Sequence, residues 1–246
     1  MKAVILAAGQ GRRLASMGWD KPKCLLPCGN CTLLDNTLQS ILGHGIRDVA
    51  IVAGYRRELV EEAARRHAMN CEFVINEDYA TTDTIHSLWL AQQYLNEGIL
   101  YFNGDVWFEA PVLSLLLQQS GSALAVEVKR CGAEEVKVLA DPTGRITRIG
   151  KDLPPEEALG EFIGVGKFEQ SACLTLVETL RRYNEELNRK DCFFESALED
   201  ILDRHAFMVA SLGELKAIEI DTPEDYARAK SLISTNALER WGDRQF

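Results

Sequence analysis

The sequence predicts an α/β fold: a mainly parallel sheet with helices on both faces. Three observations carry this expectation. Short aliphatic or β-branched runs alternate with helical patterns. A glycine turn leaves the first run where such sheets bind ligands. A chain of 246 residues with 46% hydrophobic residues is long and apolar enough for a sizeable core.

Taken in order, residues 3–7 read as the first strand, 33–42 as a helix, 48–53 as a strand and 57–67 as a helix. Strand 71–75, helix 84–95, strand 99–103, helix 112–118 and strand 123–128 continue the alternation. The pattern then changes. Segments 136–140 and 145–149 flank Asp141-Pro142-Thr143-Gly144, which reads as a β-hairpin turn and suggests an insertion of about 129–160 at the sheet edge. Strand 162–165, helices 169–187 and 194–204, and strands 208–210 and 217–220 follow. Asp221-Thr222-Pro223-Glu224-Asp225 opens a last helix, with Thr222 as N-cap and Pro223 at its first position. Without repeats or Ser/Gly-rich linkers, a single domain over 1–235 is expected, with an exposed tail at 236–246.

A net charge of -10 argues against nucleic acid or an acidic membrane surface as a partner, so any anionic substrate needs a local cationic cluster. No run is long and apolar enough for a membrane span and the start lacks a signal-peptide pattern, so a cytoplasmic location is expected. Seven cysteines, an odd number, suggest reduced thiols. Cys24, Cys28 and Cys31 match a cluster-binding spacing. The intervening Leu25-Leu26-Pro27, read as a short buried strand, and the Gly29-Asn30 turn favour a structural role for that segment.

The strongest signal is Ala7-Ala8-Gly9-Gln10-Gly11-Arg12-Arg13-Leu14 at the end of the first strand. Glycines let backbone N–H groups approach a triphosphate, and small Ala7 and Ala8 leave room for base and ribose. Arg12, Arg13, Lys21 and Lys23 supply the cationic cluster. The plain alternative is a structural turn with solvated charges. The dinucleotide fingerprint fails because Leu14 stands where its third glycine belongs, and the P-loop fails for want of Gly-Lys-Ser/Thr.

Residues Leu6 to Leu14, followed by Lys21-Pro22-Lys23-Cys24-Leu25-Leu26-Pro27, resemble the signature of the sugar-phosphate nucleotidyltransferase superfamily. Asn103-Gly104-Asp105 and Ile220-Asp221-Thr222-Pro223-Glu224-Asp225 resemble two further family motifs. The resemblance implies a Rossmann-like three-layer nucleotide-diphospho-sugar transferase fold and a nucleotidyltransferase that releases pyrophosphate. It implies catalytic roles for Arg13 and Lys23, and nucleotide contacts from Leu6, Ala7, Ala8, Gly9, Gly11, Arg13, Lys23, Asn76 and Thr84. Asp105 and Asp221 would hold Mg²⁺. Each aspartate has a structural alternative, Asp105 as a turn residue and Asp221 as a helix-start carboxylate.

The stretch 76–89 and Gly160-Glu161-Phe162-Ile163-Gly164-Val165 resemble the branch containing phosphocholine and 2-aminoethylphosphonate cytidylyltransferases, although Asp83-Thr84 replaces its paired asparagines. The implied donor is CTP and the implied acceptor a small phosphorylated or phosphonate metabolite. A quaternary ammonium requires aromatic residues with a nearby carboxylate, for which Tyr79, Trp107, Phe162, Phe193, Phe194 and Glu195 are candidates. Glu161 is a further acceptor candidate, and Lys151 is placed to reach an acceptor phosphate, with a solvated lysine as the plain alternative. An NDP-sugar pyrophosphorylase using UTP, GTP or dTTP stays open, as does a silent nucleotide-binding regulatory subunit. The sequence leaves room for a homodimer.

Overall fold

The computed structural model describes the backbone of residues 1–242 and the side chains of residues 1–234. In chain order the first half carries β1 (Lys2–Ala7), β2 (Pro27–Cys28), β3 (Cys31–Thr32), α1 (Leu33–Gly43), β4 (Asp48–Ala53), α2 (Arg57–Ala64), β5 (Asn70–Ile75), α3 (Thr84–Leu90), β6 (Ile99–Asn103) and β7 (Val106–Phe108). The second half carries α4 (Pro111–Gln118), β8 (Ser122–Glu127), β9 (Lys137–Ala140), β10 (Ile146–Gly150), β11 (Gly160–Phe168), α5 (Gln170–Arg181), α6 (Glu195–Glu199), β12 (Phe207–Ser211), β13 (Ala217–Glu219) and α7 (Pro223–Gly242).

Strands β6, β1, β4 and β5 lie side by side and parallel. Beside β6 runs the long antiparallel β11, which pairs β8, and β8 pairs β12 in parallel. The hairpin β9–β10 joins the amino-terminal part of β11, so the sheet is mixed and nine-stranded. Side chains alternate between its faces. Val4, Leu6 and Ala8 enter one apolar layer with residues of α3, α5 and α6. Ala3, Ile5 and Ala7 enter the other with residues of α1, α2 and α4. The result is the expected three-layer α/β fold.

Several local expectations are corrected. Residues Lys23–Leu25 form a 3₁₀ turn rather than the start of a strand, and only Pro27–Cys28 pairs, across a two-residue turn, with Cys31–Thr32. The expected helix 84–95 is divided into α3 and a 3₁₀ turn at Gln92–Tyr94. Beyond α5 the chain widens into a π turn, Arg182–Glu186, where Asn184 donates to Leu180 C=O and faces His86 Nδ1 at 2.6 Å. The final helix begins as expected: Asp225 N–H donates to Thr222 Oγ1, and Thr222 N–H donates back to Asp225 Oδ2. Its backbone is helical as far as Gly242, and the expected exposure of 236–246 lies outside the described residues. All seven cysteines are free, and no cysteine joins a candidate metal-binding group among the described residues. No helix among the described residues is long and apolar enough to cross a membrane.

Candidate active site

Strand β1 delivers Leu6, Ala7 and Ala8 to the carboxyl edge of the sheet, and the chain then turns through Gly9 and Gly11. Gly11 has φ +68°, and a Cβ there would meet the Lys23 side chain at 3.3 Å, so the turn requires glycine. Lys23 N–H donates to Gly9 C=O at 3.3 Å and ties the second motif to the first. Next to β1, Gly104 allows the close approach of the turn after β6: a Cβ at that position would stand 2.6 Å from Leu6 C=O. This packing sets Asp105 beside the glycine loop. From the far end of the chain, β13 pairs with β7, and Ile220 N–H donates to Asp105 C=O, which brings Glu219 and Asp221 to the same place.

The centre of the site is an ionic cluster. The Lys23 ammonium is 2.7 Å from Asp105 Oδ2 and is also bonded to Asp221 Oδ1, while Arg13 reaches Asp221 Oδ2 at 2.6 Å. Burial alone would lower the Lys23 pKa, but Asp105 and Asp221 lift it above its ordinary value. Burial likewise pushes the Asp221 carboxyl up, and Lys23 and Arg13 more than offset it, leaving Asp221 below the usual range. Glu219 completes the set, and carboxylate oxygens of Asp105, Glu219 and Asp221 lie within 4.8 Å of one another. Burial and the two aspartates push Glu219 up. Asp105 Oδ1 is buried without a hydrogen-bond partner. Three hard oxygen ligands with one unsatisfied acceptor are a donor set suited to Mg²⁺.

Around this cluster lies a cleft of about 320 Å³. Leu6, Ala8, Gly9, Gly11, Arg13, Lys23, Asn76, Thr84, Asp105 and Asp221 all line it, and so do Tyr79, Lys151 and Glu195. Arg12 donates to Ala80 C=O at 2.7 Å and so bridges the glycine loop to the loop after β5. Lys21 is exposed and does not line the cleft. On the far wall Asp83 caps α3 by accepting from Thr84 N–H. Asn76 is 1% exposed, and its amide donates to Thr82 Oγ1 and Ser87 Oγ. The Thr82 hydroxyl donates to Asp78 C=O. It can therefore only accept from Asn76, which fixes the amide orientation and leaves Asn76 Oδ1 a buried acceptor without a partner.

Four of the expected side chains do not reach the cleft. Ala7 faces the opposite layer, as strand alternation requires. Trp107 lies on β7 between Val106 and Phe108 and turns the other way from them, into a satellite core with Leu14, Leu33 and Ile220. Phe194 is fully buried, with its ring 4.3 Å from that of Tyr101, whereas its neighbour Phe193 is exposed and lines the cleft. Glu161 points to an adjoining cavity, where Lys129 pairs with it at 2.6 Å. Phe193, like Phe162 one of the aromatic candidates, lines the cleft, and Glu219 is a site residue that sequence reasoning missed. Glu219 was accessible to it, because a residue two before Asp221 on a strand shares its side.

The sequence matches the nucleotidyl transferase family over residues 2–236. It is 31% identical over 242 residues to the CMP-5'-(3-aminopropyl)phosphonate synthase of Streptomyces rubellomurinus, a match covering 93% of this chain and 38% of that protein. It is 25% identical to the CTP:phosphoglutamine cytidylyltransferase of Campylobacter jejuni, over 90% of this chain and 93% of that protein. The solved CTP:phosphocholine cytidylyltransferase of Streptococcus pneumoniae superposes with a TM-score of 0.79 at 20% identity, over 94% of this chain and 98% of that one, and shares its fold.

Proposed function

The chain belongs to the nucleotidyl transferase family, and from that premise we propose that it transfers CMP from CTP to a small phosphorylated or phosphonate metabolite, releasing pyrophosphate. The observation that carries this reading is the meeting of Arg13, Lys23, Asp105, Glu219 and Asp221 beside the glycine loop. A regulatory subunit without chemistry would have no use for a buried lysine poised between two aspartates.

A phosphate monoester is largely a dianion near neutral pH, its second pKa being about 6, so its oxygen needs no general base. The obstacle is anion meeting anion. As the acceptor oxygen bonds to the α-phosphorus, the bond to the bridging oxygen breaks, and pyrophosphate carries that electron pair away. Arg13 and Lys23 are within reach of the charge that develops there, and backbone N–H groups of the Gly9–Gly11 turn hold the phosphates. Asp105, Asp221 and Glu219 would hold Mg²⁺, which when bound supplies further neutralisation of phosphate charge.

Two features favour CTP. The relatives reported above carry CMP or CTP in their names, and Asn76 offers a buried acceptor on the wall of the cleft. An acceptor at that place suits the exocyclic amine of cytosine, whereas the O4 carbonyl of uracil or thymine would oppose it. Pyrophosphate release with each NTP against a panel of aminoalkylphosphonates, phosphocholine and sugar 1-phosphates tests the reading. Release with CTP and a phosphonate or phosphocholine supports it. Release only with a sugar 1-phosphate and UTP, GTP or dTTP would replace it with a sugar-nucleotide pyrophosphorylase.

A further inference from the structure

A second cavity of about 480 Å³ opens off the cleft, sharing Val136, Lys151, Phe193 and Glu195 with it and running back to Tyr183 and Arg189. Glu195 stands on the shared wall. The residue is 5% exposed, and its Oε2 is buried with no hydrogen-bond partner. The nearby Lys151 ammonium does not ion-pair with it and lies 4.3 Å above the Phe193 ring. A carboxylate in that condition is costly unless a cation completes it. At the other end of the cavity the Arg189 guanidinium lies 5.6 Å over the Tyr183 ring and forms no ion pair among the described residues. Its neighbour Arg148 is already bonded to Glu199.

We propose that this cavity receives the end of the acceptor remote from its phosphate, and that this end is zwitterionic: an ammonium group held by Glu195 and a carboxylate held by Arg189. The acceptor class is then a phosphorylated or phosphonate amino acid rather than a simple amine or polyol. The inference rests on the nucleotidyltransferase reading, which places the reacting phosphate in the cleft near Lys23.

The test separates binding from turnover. O-phosphoserine, phosphoethanolamine and glycerol phosphate are titrated calorimetrically into the full chain with Mg²⁺ and α,β-methylene-CTP, and pyrophosphate release is followed in parallel with CTP. The expected order of affinity is phosphoserine, then phosphoethanolamine, then glycerol phosphate. Glu195→Gln should weaken the two amine-bearing compounds by about thirtyfold and leave glycerol phosphate unchanged. Arg189→Ala, at an exposed position that tolerates substitution, should weaken phosphoserine alone by about fivefold. Equal affinities for the three compounds, or a loss in either variant that does not depend on which charged group the compound carries, would overturn the proposal. Charge-selective binding without pyrophosphate release would refute the transferase reading and leave the zwitterion pocket standing.

Discussion

Replacing Lys23 by methionine keeps the length of the side chain and removes its charge from between Asp105 and Asp221. Each of those carboxylates is about a quarter exposed, and both lie within 4.8 Å of Glu219. At an effective dielectric constant near 20, a charge pair 2.7 Å apart attracts by about 6 kcal/mol, and the cost of dehydrating the lysine offsets part of it. Removing one partner of a buried pair typically costs 3–5 kcal/mol, and the residual exposure of the aspartates places Lys23→Met at about 3 kcal/mol. For a chain of this size that corresponds to a fall of about 6–12 °C in Tm. The loss should depend on pH in a defined sense. In the wild type, Asp221 is held below its unfolded value, so its contribution is present at neutral pH and is lost as pH falls through the folded pKa. Without Lys23 the Asp221 carboxyl loses the charge that most holds it down and its pKa rises, so the variant's deficit should be largest near pH 8 and shrink toward pH 5. Thermal melts of both proteins across that range, with and without Mg²⁺, measure this directly, and the cation should restore part of the deficit. An unchanged Tm at pH 8, or a deficit independent of pH, would refute the coupling of Lys23 to the carboxylates.

Asp105→Asn and Asp221→Asn should each lower the rate of pyrophosphate release by about a hundredfold or more, with folding intact by circular dichroism. Trp107→Ala should destabilise the fold by about 3–5 kcal/mol in chemical denaturation, yet leave acceptor KM unchanged in the fraction that stays folded, because Trp107 packs in the satellite core. Burial pushes Glu195 up to about 7, so the folded state binds its proton more tightly than the unfolded state does. The sign follows: this group's cost is absent below the unfolded pKa and grows as pH rises toward 7, so Glu195→Gln should raise Tm at pH 8 and not at pH 4. Thr32→Ala removes the hydroxyl that accepts from Asp35 N–H at the start of α1, and should cost about 1 kcal/mol with unchanged kinetics.

The part of the site that the sequence made legible is the part built from strand ends. The turn after β1, Asp105 after β6 and Asp221 after β13 each follow an apolar run; parallel pairing of β1 with β6 puts the first two on one edge, and the antiparallel pairing of β13 with β7 brings Asp221 to them. What escaped depends on short or irregular backbone. Strand β7 has three residues, too few for a period to emerge, and so the side to which Trp107 turns could not be read. Phe193 and Phe194 enter a five-residue helix from a loop, where neither the period of a strand nor that of a helix decides which ring is buried. Glu219 was overlooked although its spacing from Asp221 pointed to it. The second cavity has no sequence signature, because it joins the β9–β10 hairpin to residues some forty positions further on and exists only once they pack.

The central claim is that Asp105, Asp221 and Lys23 make the cleft a site of nucleotidyl transfer. It is tested most directly by placing a radiolabel in the α-phosphate of CTP and following it, with Mg²⁺ and the acceptor panel, in the wild type and in the Asp105→Asn/Asp221→Asn double variant. The account predicts label covalently joined to an acceptor, with equimolar pyrophosphate, in the wild type, and neither in the variant. Transfer undiminished in the double variant, or label recovered only as free CMP whatever the acceptor, would contradict it.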